Sequence, residues 1–149
     1  WSRIRRLGLP VLLRLRAGDE RLLLLRGFEG ENILLGSPGD GRVVARSDVE
    51  RQWLGEYLAA WPQAPDWPYE IRRGQAGPAV DIVMEMAAMA ESPWEGLGGF
   101  DAGFERWLID FQREQGLVAD GIVGPQTLIH LMAPTIDQPR LVDEPGEGD

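Results

Sequence analysis

The sequence predicts an α+β chain: an antiparallel β meander or half-barrel carrying one short helix, followed by a small three-helix domain. Three observations lead there. Between residues 9 and 61, short apolar runs alternate with turn clusters, as strands and hairpins require. Further on, Phe104, Trp107, Leu108 and Phe111 fall at i, i+3, i+4 and i+7, so one helix face is apolar. Between the two patterns stand Pro62, Pro65 and Pro68, a spacing that continues neither a helix nor a central strand.

In chain order, Trp1–Leu7 reads as a short helix or lead-in that exposes Arg3, Arg5 and Arg6. Residues 9–17 read as a strand, with Val11, Leu13 and Leu15 on one face. Gly18-Asp19-Glu20 is a tight connection to a second strand over 21–28. A third strand covers 32–36, and the Ser37-Pro38-Gly39-Asp40-Gly41 cluster turns the chain into a fourth over 42–46. Ser47 opens a short helix, with Glu50 completing a capping box and Val49, Trp53 and Leu54 facing inward. Gly55 ends that helix and 56–61 return as a strand. The segments are therefore 1–61 for the meander, 62–70 for a semi-rigid Pro/Trp linker, 71–134 for the helical domain and 135–149 for a loose acidic tail. Trp67 and Tyr69 either pin the linker or offer an aromatic face to a glycan.

In the helical domain, the first helix runs over 78–91 with Val80, Val83, Met84, Ala87 and Ala88 inward. Met84, Met86 and Met89 serve as adaptable core filler. Residues 92–99 form a loop. Asp101 caps the second helix, Gly116 closes it in the left-handed conformation, and Leu117 folds back toward Phe111. Asp120-Gly121 supplies a turn. Pro125 suits the first position of the third helix, and Pro134 stops it.

A length of 149 residues allows one ordinary domain or two small ones, and 44% hydrophobic content suffices for a core in each half. No apolar run reaches membrane-spanning length, and no signal-peptide pattern is present. Trp1 is not a translation start, which points to a piece of a longer protein. The chain lacks cysteine, which removes disulfides, thiolate metal sites and a cysteine nucleophile. Residues 1–73 carry 12 Arg against 10 acids, whereas 74–149 carry 3 Arg against 14 acids. A phosphate-backbone binder needs the opposite bias, so nucleic acid is excluded as a partner of the second half.

The run FDAGFERWLIDFQREQGLVADGIVGPQTLIHL, preceded by Gly74-Gln75-Ala76-Gly77, resembles the three-helix peptidoglycan-binding module of bacterial cell-wall enzymes over about residues 72–133. In the first half, the apolar strand pair, the Ser-Pro-Gly turn and Ser47-Asp48 followed by Trp53, Gly55, Tyr57 and Leu58 resemble the bacteriocin-processing, papain-like cysteine peptidases. That resemblance implies a catalytic His where this chain has Arg21 and an orienting Asp where it has Ser37. Arg stays protonated at neutral pH and cannot act as a base, so this half is a degenerate, non-catalytic relative. The order of the two halves is similar to the periplasmic end of the general secretion pathway protein A family. The resemblance implies a preceding AAA+ ATPase and one membrane helix in the parent, attachment to the wall, and help in installing a type II secretin. It also implies a membrane-bound secretion partner and self-association through the parent.

The residues carry no other clear chemistry. The single His130, read as a surface or cap residue, has no companions for a zinc site. Asp101 and Asp120 are conceivable as a hydrolase pair, but each has a simpler task as cap and turn. No phosphate-binding loop is present, and neither a cofactor nor a metal is expected. Binding therefore leads. The resemblance places a groove among the Gly74–Gly77 turn, the start of the second helix and the loop 120–124. The candidate contacts are Arg73, Gln75, Asp101, Arg113 and Asp120, with the backbone of Gly121 and Ile122; Arg113 or Arg73 would hold a stem-peptide carboxylate bidentately. Two other readings remain: a protein-interaction domain with a vestigial wall module, and a cell-wall hydrolase fragment.

Overall fold

The structure, a computed structural model, describes residues 1–16, 21–62, 67–90, 99–137 and 139–144. The connection at 17–20, the middle of the proline linker, most of the loop at 92–99 and the last five residues lie outside the described residues. The chain forms two compact units, Trp1–Ala60 with Gln138–Asp149, and Trp61–Asp137.

The first unit is a sheet with two short helices, of which the first is α1 (Ser2–Leu7). Strands β1 (Val11–Leu15), β2 (Arg21–Glu29), β3 (Asn32–Leu35), β4 (Arg42–Ala45) and β5 (Trp53–Ala59) lie in the order β4-β3-β2-β1-β5, with every neighbour antiparallel. The period of two in β1 sends Val11, Leu13 and Leu15 into the core. Leu25, Phe28, Ile33 and the α1 residues Ile4 and Leu7 join them. Each such side chain contributes about 1.5–3 kcal/mol when fully withdrawn from water. Trp1 bridges α1 to the sheet, edge-on to Phe28 and tilted against Trp53, and the Arg5 guanidinium lies over the Phe28 ring.

Several local expectations change. The helix α2 (Arg46–Glu50) starts one residue early, with Ala45 as its cap, so the Ser47–Glu50 capping box does not form. Two long-range contacts win instead: the Arg46 N–H donates to the Glu31 carbonyl, and Glu50 accepts from the Trp1 indole at 2.5 Å. Gly55 does not end a helix; it lies inside β5, which exposes Leu54 rather than burying it.

The largest correction concerns the acidic tail. Val142–Glu144 form β6, which pairs in parallel with β2 through Gly27, Phe28 and Glu29. β1 reaches only as far as Leu25 on that side of β2, so the edge beyond is open to a second strand. Asp143 forms a salt bridge with Arg5, and the Leu141 N–H donates to the Gly8 carbonyl. Gly27 permits this approach. A Cβ there would sit 2.5 Å from the Val142 carbonyl oxygen and 2.7 Å from its Cβ.

In the second unit, α3 (Pro78–Met89), α4 (Ala102–Gln115) and α5 (Pro125–Met132) enclose a core of Val80, Val83, Ala87, Phe104, Leu108, Leu128 and Leu131. Trp107 is half-buried and packs between Phe104 and Phe111 at 5.4 Å from each. Ala88 faces solvent instead of the core, and Met89 is exposed, while Met84 and Met86 pack on the core. Trp61 and Trp67 also pack there, but Tyr69 does not pin the linker and is 83% exposed.

Two predictions test this unit-by-unit account. Gly27→Ala should displace β6, cost about 1–3 kcal/mol in denaturant stability and raise amide exchange at 142–144. Tyr57, opposite Leu13, has its phenol raised above the ordinary 10.0 by burial, against an opposing pull from Arg3. Above that ordinary value the unfolded chain loses the proton while the native chain keeps it, so stability falls as pH rises through the window. Denaturation midpoints against pH should show that fall, and Tyr57→Phe should remove its share.

Candidate functional site

The site is built from the two ends of α4 and the loop that follows. Asp101 Oδ1 accepts the Gly103 and Phe104 N–H groups at 2.7 and 3.0 Å, satisfying donors that a helix start leaves unpaired. At the other end Gly116 takes φ 71°, and the Leu117 N–H reaches back to the Gln112 carbonyl at 2.8 Å. The chain thus reverses tightly into 117–124.

Gln112 holds that loop in place. It lies four residues beyond Leu108, on the buried stripe of α4, and is 1% exposed. Its Nε2 donates toward the Ile122 carbonyl at 2.9 Å, Asp120 Oδ1 at 3.0 Å and Thr127 Oγ1 at 3.1 Å. Its Oε1 accepts the Gly121 N–H at 2.9 Å. One side chain therefore joins α4, the turn and the first turn of α5. Asp120 Oδ1 also accepts the Ile122 N–H, which closes the turn on itself. A two-bond bridge between Ile71 and Val123 then lays the incoming chain beside the loop.

These ties leave an open groove of about 450 Å³. Tyr69 and Glu70 line it, together with Leu117 and Val118, Asp120 and Ile122, and residues 124–127 at the start of α5. Glu70 is paired with Arg72.

Of the residues singled out from sequence, Asp120 and Ile122 line this groove, and Gly121 is buried beside them. The others lie elsewhere. Asp101 is the α4 cap. Gln75 closes its own turn by accepting the Arg72 N–H at 2.6 Å. Arg73 pairs with Glu105 of α4 at 3.2 Å, and Arg113 with Asp110 on an exposed face of α4 at 2.7 Å. His130 is not a surface residue: it is 5% exposed, with Nδ1 3.2 Å from Gln115 Oε1. Sequence reasoning missed Gln112 and Val118; Tyr69, one of the two residues read as a possible aromatic face for a glycan, lines the groove. Gln112 had a usable signal, a polar residue in register with the apolar stripe. Among the described residues no cluster of His, Cys, Asp or Glu is arranged to hold a metal.

Residues 96–131, which span this frame, match the family described as "Putative peptidoglycan binding domain". Over 106 residues the chain is 34% identical to general secretion pathway protein A of Aeromonas hydrophila, covering 64% of this chain and 19% of that protein. Over 134 residues it is 24% identical to the "Putative general secretion pathway protein A" of Escherichia coli K12, covering 83% of this chain and 26% of that one. The chain is homologous to general secretion pathway protein A. It carries a peptidoglycan-binding domain and spans about a fifth to a quarter of the length of these relatives. A further match, 28% over 93 residues, is to thiamine-phosphate synthase of Streptomyces avermitilis, covering 62% of this chain and 41% of the synthase. In fold the chain is similar to a periplasmic domain of the EpsAB fusion protein of the Vibrio vulnificus type II secretion system, which aligns with 90% of this chain and 60% of its own. That alignment has a TM-score of 0.54 at 24% identity. It shares the α+β architecture with an open antiparallel sheet.

Gln112→Leu should leave the Gly121 N–H and the Asp120 carboxylate without their buried partner. A loss of about 2–3 kcal/mol is expected in denaturant unfolding, with chemical-shift changes concentrated at 120–127.

Proposed function

We propose that this chain is the murein-binding periplasmic region of a type II secretion assembly protein, and that it acts without catalysis. The reading is supported above all by the domain match over 96–131, which covers the Asp101 cap, the Gln112 ties and the Asp120 turn. On this reading the parent protein carries an AAA+ ATPase and an anchor in the inner membrane. The present chain fastens that assembly to the wall while the secretin is installed. Of the candidate contacts, Asp120, Gly121 and Ile122 act at the groove. Arg73, Gln75, Asp101 and Arg113 shape or flank the domain.

The first unit plays a different part. At the positions where a cysteine peptidase of the resembled family would hold its His and Asp stand Arg21 and Ser37, so the unit is a recruited scaffold. A row of leucines crosses its outer sheet face: Leu12 pairs with Leu24 on one side and Leu58 on the other, opposite the face that buries Leu13. Leu58 is 56% exposed, with Leu22 and Val43 exposed on the same sheet. Apolar side chains grouped this way favour a protein partner, either a membrane-bound secretion component or a second copy of the parent.

Co-sedimentation with purified murein sacculi tests the first reading. The chain should pellet and release no soluble muropeptides. Val118→Glu, which adds a charge at the groove wall, should abolish pelleting, and Gln75→Ala/Arg113→Ala should leave it nearly unchanged. The reverse pattern would move the binding face to the Gln75 and Arg113 side. Released muropeptides would replace the tether with a hydrolase.

A further inference from the structure

We propose that the groove reads the glycan strand of murein, a neutral polymer of N-acetylated amino sugars, and not the carboxylate ends of its stem peptides. The inference rests on the murein-binding reading above and narrows it to one part of the polymer.

Charge argues first. Among the described residues, the charged ones that line the groove are Glu70 and Asp120. Glu70 is paired with Arg72, so the like charge that a stem-peptide carboxylate meets there is that of Asp120, and the lining itself offers no free cation. The guanidiniums that would read such a group, Arg73 and Arg113, lie outside the lining and are paired with Glu105 and Asp110. Carboxylates, by contrast, suit sugar hydroxyls. An ionised carboxyl has about four lone-pair positions, so Asp120 can hold its turn and still accept an O–H.

Shape and polarity argue second. Tyr69 is 83% exposed and Val118 is 73% exposed, and both border the same groove. A tyrosine ring that neither packs on the core nor pins the linker is a rigid apolar platform with a polar tip. Pyranose rings present flat C–H faces that stack on such a ring, and acetamido methyls suit Leu117 and Val118. The first-turn N–H groups of α5, at Gln126 and Thr127, have no partner within the helix and point the right polarity at an acetamido carbonyl.

The test uses this chain against three probes: intact sacculi, a neutral oligomer of N-acetylglucosamine, and soluble stem tetrapeptide. The oligomer should displace the chain from sacculi, and the tetrapeptide should not compete. Binding should hold as added salt shortens the screening length from about 10 Å to about 3 Å, because the ligand is neutral. Tyr69→Ala should weaken binding about tenfold, and Tyr69→Phe should restore it; Tyr69 is exposed, so neither change threatens folding. Failure of the neutral oligomer to compete, or salt-sensitive competition by the tetrapeptide, would overturn the glycan assignment and leave the murein tether standing. Failure to bind even intact sacculi would overturn both.

Discussion

A single buried amide carries the second unit. Gln112 joins α4, the Asp120-Gly121 turn and the start of α5 through hydrogen bonds from one side chain. An amide is well suited to the task. It donates and accepts at once, remains uncharged, and so avoids the desolvation cost that a buried carboxylate or guanidinium would bring. With a loop this short and rich in glycine, apolar packing alone offers few contacts. The hydrogen bonds take over where the core ends, and the groove inherits its shape from them.

The first unit depends on a different constraint, the space around a sheet edge. β2 is longer than the strand beside it, and its far half would present unpaired backbone to solvent. The chain closes that edge with a distant strand of its own. Glycine at position 27 makes the approach sterically allowed, and the Arg5–Asp143 ion pair, half-exposed and hence modest in strength, selects the register.

Much of this was legible in the residues. The alternation of β1, the stripe of Phe104, Leu108 and Phe111, the Asp101 cap and the Gly116 reversal all follow from local rules that tertiary structure left in force. The failures have a common cause. Ser47 and Glu50 had the right spacing for a cap, yet the Trp1 indole claimed the Glu50 carboxylate and the Glu31 carbonyl took the Arg46 N–H, both from far away in sequence. Residues 142–144 look like a polar tail because a three-residue strand carries almost no periodic signal, and its partner is the open edge of β2. His130 was taken for a surface residue because polarity was read without register; it falls among buried neighbours on α5. Arg73 and Arg113 pair with acidic residues of α4, while the concavity lies where the backbone bends.

The return of β6 to the first unit also bears on how the chain reaches its final form. Gly27 and Val142 are direct partners although 115 positions apart, so their pairing closes a loop that contains the whole second unit. Closing so long a loop in a disordered chain carries an entropic cost that grows with the logarithm of its length, and contacts of this separation slow folding. A second unit that collapses first shortens the effective loop, because Trp61–Asp137 then count as one compact body. On that order the last strand is added to a sheet already in place.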